Sequence, residues 1–361
     1  MRRVRSVIMV AVWLSLLAAS GAAAADLAAG LVSEEFIVDA AQPGIQLYVR
    51  NKHPVDMAQV PAGRVLLYVH GATQPSEATF DLPLDGLSWM DYIASHGWDV
   101  YLMDARGYGR STRSPDLAQP NATQAPIVWT DTKVQDAGSV IDFILKRRGV
   151  PKLTLMGWSW GTIVVAAYAA GHEDKVSGLV LYAPVWCAWR CDFDSRSAET
   201  LAAAHAGSHE TAAVVLSSMA GARKRFQSGA PPDRIDELMP PAWFAAWSAA
   251  DLATDPVGAT LDPPAIRAPA GVSQDSSDYW NVSKSYYDPK KITVPSLTIV
   301  AEWDAVTPPS GARNLYEALA NSPGRRLVEL KEGTHIMMLE KNRMQLFHEV
   351  QRFLDDSGPA P

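Results

Sequence analysis

A serine lies between two tryptophans and two glycines in Gly157-Trp158-Ser159-Trp160-Gly161. A serine hydroxyl is a weak nucleophile and attacks a carbonyl only when a neighbouring base takes its proton. The pentapeptide follows the apolar run 153–156 and precedes a helical pattern that begins at Thr162. At a strand-to-helix junction, glycines two residues either side of the serine allow a turn tight enough to lift the hydroxyl above a sheet, near the positive end of the helix. Ser159 is therefore expected to be a nucleophile in acyl transfer. The bland alternative, a Gly-Ser turn with no chemistry, does not account for the strand before it and the helix after it.

The base must come from elsewhere in the chain. Of the eight histidines, His335 is the one placed just after a late apolar run, in Glu332-Gly333-Thr334-His335. A neutral imidazole needs an acid to hold its tautomer and to stabilise the imidazolium that forms. Asp304, in Ala301-Glu302-Trp303-Asp304, again follows an apolar run, and Glu302 is its rival. The developing oxyanion needs backbone donors. One expected donor is the N–H of Trp160. The other is the N–H of Ala72, in His70-Gly71-Ala72, where Gly71 permits close approach. His70 reads either as a histidine that braces this loop or as a second base. The constellation supplies nucleophile, base and oxyanion donors itself, so no metal or organic cofactor is implied.

These positions need a scaffold that brings the ends of several strands together. Alternating residues around 36–38 and 45–49 predict a β-hairpin. Short, nearly continuous apolar runs follow at Val65–Val69, Asp99–Met103, 153–156, 178–182, 296–300 and Arg326–Leu330. Runs of this kind suit strands buried on both faces. Helical patterns at 88–96, 132–148, 162–171, 311–320 and 342–354 lie between them. Such alternation predicts an α/β fold with a mostly parallel sheet covered on both sides. The rhythm breaks at 185–291, which is rich in Ala, Trp and Pro and has helical patches near 198–219 and 232–250. This stretch is too long for a plain connection. It is read as a helical cap over a core made of 26–184 and 292–361, with a separate domain as the alternative.

The 361 residues are 48% hydrophobic and 20% charged, the balance of a globular chain with a large core. Residues 1–25 stand apart: Arg2, Arg3 and Arg5, an apolar run, then Ala22-Ala23-Ala24-Ala25. This is the pattern of a cleavable secretory signal peptide, with an uncleaved anchor as the alternative, and it predicts a secreted or periplasmic protein. The formal charge is −7, and without the three leader arginines it is near −10. An acidic chain gains nothing from phosphate backbones, so nucleic acid is not an expected partner. No other stretch is long and apolar enough to span a bilayer, so no stable membrane insertion is expected once the leader is removed. The two cysteines, Cys187 and Cys191, admit a disulfide in an oxidising compartment or two buried thiols. No histidine at metal-ligand spacing joins them, so no metal site is expected.

Taken together, these motifs resemble the α/β-hydrolase superfamily across almost all of the chain beyond the leader. The matching features are His70-Gly71 after an apolar run, Asp104-Ala105-Arg106-Gly107-Tyr108-Gly109-Arg110-Ser111 after the next, and the elbow at Ser159. Further on come Glu302-Trp303-Asp304 with Val306-Thr307-Pro308-Pro309, and Gly333-Thr334-His335 with Leu339-Glu340. The resemblance implies catalytic roles for Ser159, Asp304 and His335, and a cap inserted after the strand at 178–182. It also implies that 104–111 is a structural turn held by Arg106 and the glycines. Epoxide hydrolases and haloalkane dehalogenases of this fold use an aspartate at the elbow, which Ser159 disfavours. The Ser-Trp-Gly of the elbow is similar to that of proline iminopeptidases, but those carry a longer glycine-rich segment where this chain reads Ala72-Thr73-Gln74-Pro75. The same departure argues against the triple-glycine hole of lipases acting on bulky tertiary esters.

Tryptophans flank the expected chemistry: Trp158 and Trp303 beside it, and Trp186, Trp189, Trp243, Trp247 and Trp280 in the cap. Aromatic side chains in a pocket favour an apolar or aromatic substrate group. Trp158, Trp303 and Trp186 are the expected substrate contacts, although any one of them could instead pack the cap onto the sheet. A small or medium ester is the expected substrate. The alternatives are an aminopeptidase or amidase, for which cap acids such as Asp192, Asp194, Glu199 and Glu210 would bind an amine, and a non-catalytic binding protein on the same fold. Nothing in the sequence specifies an oligomeric state.

Overall fold

The computed structural model describes residues 29–57, 59–61, 63–114, 117, 128–187, 192–193 and 213–357. The expected signal peptide, Trp189, Cys191, Asp194, Glu199 and Glu210 lie outside the described residues. The strands are β1 (Leu31–Asp39), β2 (Gln46–Pro54), β3 (Val65–Val69), β4 (Asp99–Met103), β5 (Leu153–Trp158) and β6 (Val176–Tyr182). They continue with β7 (Asp192–Phe193), β8 (Val214–Ser218), β9 (Ala265–Pro269), β10 (Lys284–Ser285), β11 (Ser296–Ala301) and β12 (Arg326–Leu330). Eight of them form one sheet in the order β1-β2-β4-β3-β5-β6-β11-β12. β2 runs antiparallel to both of its neighbours, and every pairing from β4 to β12 is parallel.

The period-2 geometry of a strand divides each apolar run between the two faces of this sheet. Leu66, Tyr68, Val100, Leu102, Met156 and Trp158 join one core cluster. Val65, Leu67, Val69, Tyr101, Leu153 and Leu155 join the other. Burying one such side chain is worth about 1.5–3 kcal/mol. Strands that bury residues on both faces are therefore held in register by packing rather than by propensity.

Helices α1 (Ser76–Phe80), α2 (Trp89–Ser95), α3 (Thr130–Arg148) and α4 (Trp160–Gly171) follow the early strands. Residues 185–291 carry α5 (Met219–Phe226), α6 (Ile235–Leu238), α7 (Pro241–Ala253) and α8 (Gly271–Asp278), and α9 (Pro309–Ala318) and α10 (Met344–Ser357) follow. α2 and α10 cover one face through Met90, Ile93, Phe347 and Val350. α3, α4 and α9 cover the other through Ile141, Ile144, Val164 and Leu315. Ser88 starts α2 with a reciprocal capping box: its hydroxyl accepts from Asp91 N at 2.9 Å, and Asp91 accepts from Ser88 N at 3.1 Å. α3 stops at Gly149, whose φ of +65° lies in the left-handed region open to glycine.

Residues 185–291, expected to be a mostly helical cap, also carry short strands. The patch read near 198–219 is in its described part a strand, β8, paired antiparallel with β9. Val214 and Val215, β-branched and adjacent, favour that geometry over a helix. β7 and β10 form a second small ladder. The pattern at 232–250 is divided between α6 and α7, because Pro240 and Pro241 cannot sit inside one helix. Cys187 is buried and disulfide-bonded. Among the described residues no helix is long and apolar enough to cross a membrane.

Candidate active site

Ser159 terminates β5 and acts as N-cap of α4, with φ +54° and ψ −124°. Backbone strain of this kind in a non-glycine residue costs roughly 1–3 kcal/mol and clusters at functional sites. The turn is locked by Ser159 N donating to Tyr182 O at 3.0 Å and by Thr162 N and its hydroxyl donating to Ser159 O at 2.9 and 2.6 Å. The flanking glycines are required by contact. A Cβ on Gly157 would lie 2.4 Å from Gly161 O, and one on Gly161 would lie 2.2 Å from Val69 O. Ser159 is only 8% exposed, and that small surface opens onto a cavity.

His335 and Asp304 face each other at 2.8 Å between Nδ1 and Oδ2, both buried. The carboxylate is oriented by its own loop: Val306 N and Thr307 N donate to Oδ1 at 2.9 and 2.8 Å, and the Thr307 hydroxyl donates to Oδ2 at 2.8 Å. An acceptor so saturated fixes the proton of His335 on Nδ1 and leaves Nε2 as the basic nitrogen. His335 Nε2 is buried and makes no hydrogen bond to a protein group. Glu302, the rival acid, points outward to Lys331 Nζ at 3.1 Å. The loops of acid and base are joined by Trp303 N donating to Gly333 O at 2.9 Å. Glu340 braces the base loop by accepting from the Thr334 hydroxyl and amide at 2.5 and 3.1 Å.

Ala72 lies in the loop after β3, where the backbone passes so close to the elbow that a Cβ on Gly71 would be 2.9 Å from Ser159 Cβ. Trp160 is the first residue of α4, so its N–H has no intrahelical acceptor. Both residues line the cavity with Ser159. His70 takes the bracing role. Its Nε2 accepts from Ala105 N at 3.2 Å, so its proton sits on Nδ1 and is donated to Gly71 O at 2.7 Å. Burial, reinforced by the nearby Lys133 ammonium, pushes its pKa well below the usual histidine value. Lys133, which the sequence reading passed over, is fully buried on α3 and donates from Nζ to His70 O at 2.7 Å and Gly71 O at 3.3 Å. Its ammonium also stands 4.3 Å over the Trp160 ring.

The cavity has a volume of about 640 Å³, within the range of small-molecule sites. Trp160, Trp186 and Trp280 line it beside Val185, Val215, Val272 and Phe226. Two expected substrate contacts are corrected. Trp158 has no exposed surface, because the alternation of β5 turns it into the core, where Nε1 donates to His335 O at 3.0 Å. Trp303 is not part of the lining; it carries the Arg234 guanidinium 5.6 Å above its ring. Trp243 and Trp247 are buried in the cap packing. The turn 104–111 is structural as expected. Asp104 accepts from Ser76 N at 2.9 Å and Arg110 N at 3.2 Å, and Arg106 pairs with Asp136.

A model of the α/β-hydrolase fold matches residues 64–207. Lipase 1 of Drosophila melanogaster is 28% identical over 141 residues, 38% of this chain and 31% of that protein. A probable proline iminopeptidase of Leptolyngbya boryana is 27% identical over 121 residues, 34% of this chain and 32% of that one. The chain thus matches about a third of the length of these curated relatives. An esterase from Thermogutta terrifontis superposes with a TM-score of 0.58 at 15% identity, covering 90% of this chain and 100% of the other. The chain has the α/β-hydrolase fold, with a mostly parallel central sheet flanked by helices.

Proposed function

We propose that the chain is a serine hydrolase that cleaves a small or medium carboxylic ester, with an apolar or aromatic part, through an acyl-enzyme. The observation that carries the reading is the Asp304–His335 contact at 2.8 Å, with His335 Nε2 left without a protein partner, in a molecule whose Ser159 sits on a strained elbow. Ser159 Oγ attacks the carbonyl carbon while His335 Nε2 takes its proton. The oxyanion accepts from the N–H groups of Ala72 and Trp160. Collapse expels the alcohol, which leaves with the proton from His335, and water then repeats the sequence on the acyl-enzyme. The leader at 1–25 supports export to the periplasm or medium.

The match to a proline iminopeptidase supports a second reading, amide or N-terminal peptide cleavage. Such a substrate brings an ammonium group, and among the described residues no acidic side chain lines the cavity. We therefore favour the ester. Turnover of a p-nitrophenyl ester series, measured beside aminoacyl anilides, tests the choice. Ester turnover that falls as the acyl chain outgrows the cavity is expected. Faster anilide cleavage contradicts it.

A further inference from the structure

Among the described residues, the lining of the cavity beside Ser159 is neutral except at one point. Its lining is composed of aliphatic, aromatic, hydroxyl and amide side chains, and Arg225 is the one ionised group among the described lining residues. Arg225 lies in the last turn of α5, in the triplet Arg223-Lys224-Arg225. Cations at a helix C-terminus are favoured by the helix dipole, which explains a basic triplet but not where each member points. Arg223 is spent inside the protein: its guanidinium is held by Asp236 at 2.8 Å, Met239 O at 2.8 Å and Gln227 at 3.0 Å. Arg225 is not. It donates one hydrogen bond, from Nη2 to the Thr73 hydroxyl at 2.9 Å, and among the described residues no carboxylate pairs with it.

Its position is defined from two sides. Thr73 directly follows Ala72, the expected oxyanion donor, and takes a φ of +72°. Phe226 lies 4.5 Å beneath the guanidinium carbon, and the same ring stacks on His335 with centroids 5.3 Å apart. The cation is thus held one side chain away from both the oxyanion loop and the base. A guanidinium has five N–H donors in a planar fork that matches a carboxylate. One donor is used by Thr73, and among the described residues no other protein group takes the rest of this partly exposed guanidinium, which lines the cavity. The chain as a whole carries a formal charge of −7, so attraction of an anion has to be local.

We propose that Arg225 makes this a carboxylate-selecting site, so that the preferred substrate is an ester that also carries a free carboxylate, such as the monoester of a short dicarboxylic acid. The inference rests on the ester-hydrolase reading for the reaction, but the recognition of the carboxylate does not depend on turnover.

Two measurements on the full chain separate the two. Tryptophan fluorescence, with Trp160, Trp186 and Trp280 as reporters in the lining, follows binding of monomethyl glutarate and of its neutral isostere methyl pentanoate. The native protein is expected to bind the carboxylate ligand about tenfold tighter, as for a charge-assisted fork. Arg225→Gln should erase the difference, and Arg225→Lys should restore part of it. Equal affinities in the native protein, or a preference that survives Arg225→Gln, overturn the proposal. Turnover of p-nitrophenyl hemiglutarate and p-nitrophenyl pentanoate is the second arm. If both are hydrolysed with a kcat/KM ratio near one that Arg225→Gln does not move, the selectivity fails while the hydrolase reading stands. If neither is hydrolysed but the binding preference holds, the hydrolase reading fails and the carboxylate site stands.

Discussion

Lys133 Nζ lies 2.7 Å from the carbonyl oxygen of His70, and both residues are fully buried. The contact ties α3 to the loop that presents Ala72. Burial holds the Lys133 pKa well below the usual lysine value by disfavouring its charged form, and a donor so buried is not removed as a surface event. Lys133→Met retains volume and loses the donor to His70 O and Gly71 O. Losing one oxyanion donor outright costs roughly 100- to 1,000-fold in kcat. A loosened loop should cost less, about tenfold, with KM for a neutral ester nearly constant. A normal kcat in a folded Lys133→Met protein would make the contact purely structural.

Trp158 reaches the chemistry from behind. Its indole N–H holds the His335 carbonyl at 3.0 Å, beside the Tyr182 hydroxyl at 3.2 Å. A neutral hydrogen bond is worth about 0.5–1.5 kcal/mol. Trp158→Phe should therefore lower kcat by about three- to tenfold and leave KM unchanged. A raised KM at constant kcat would return Trp158 to the substrate-contact role that its place in the sequence first suggested.

Asp304 and Glu302 are two residues apart and lie in opposite environments. Asp304 faces His335, whereas Glu302 pairs at the surface with Lys331. Asp304→Asn removes the acceptor that sets the histidine tautomer, and kcat should fall by about 10³–10⁴. Glu302→Gln should change kcat/KM by less than about twofold, in keeping with the small worth of exposed pairs. Comparable losses in the two variants would contradict the assignment.

Asp251 of α7 is fully buried, and burial, with Asp104 and Asp255 adding repulsion against the attraction of Arg113, pushes its pKa well above the ordinary carboxylate value. A raised native pKa means that the folded state binds more protons than the unfolded one above about pH 4, so this group's contribution to stability falls as pH rises. Asp251→Asn removes that dependence. The Tm of the variant relative to the native protein should increase as pH rises above about 4. A difference that does not change with pH would show that Asp251 does not titrate in this way.

The sequence pattern carries the scaffold of this site and its candidate residues. Periodicity placed β3 and β4 at their observed bounds, because strands buried on both faces leave uninterrupted apolar runs, and it also placed the edge strand β12, whose Arg326 and Glu329 are not buried. Position just beyond such runs singled out Ser159, Asp304 and His335. What the sequence concealed depends on direction rather than on type. Trp158 and Trp160 flank the same serine, yet β5 turns the first into the core and the turn of α4 gives the second to the cavity. Lys133 looks like one more polar residue of an amphipathic helix, and only the packing of α3 under the β3 loop turns it inward. β8 reads as helix in the sequence because its alanine-rich approach masks a pair of valines that need the distant β9 to form a ladder. Arg225 carries no motif of its own, and the hold of Thr307 on Asp304 shows only in what it touches.

The central claim is that Ser159 is a nucleophile activated by His335, and covalent labelling tests it most directly. The native protein, treated with a fluorophosphonate probe and digested for mass spectrometry, should carry the phosphonyl adduct on the peptide containing Ser159. Ser159→Ala should abolish labelling, and His335→Gln should slow it by at least a hundredfold. Absence of labelling in the folded native protein, or an adduct on another residue that persists in Ser159→Ala, would contradict the account.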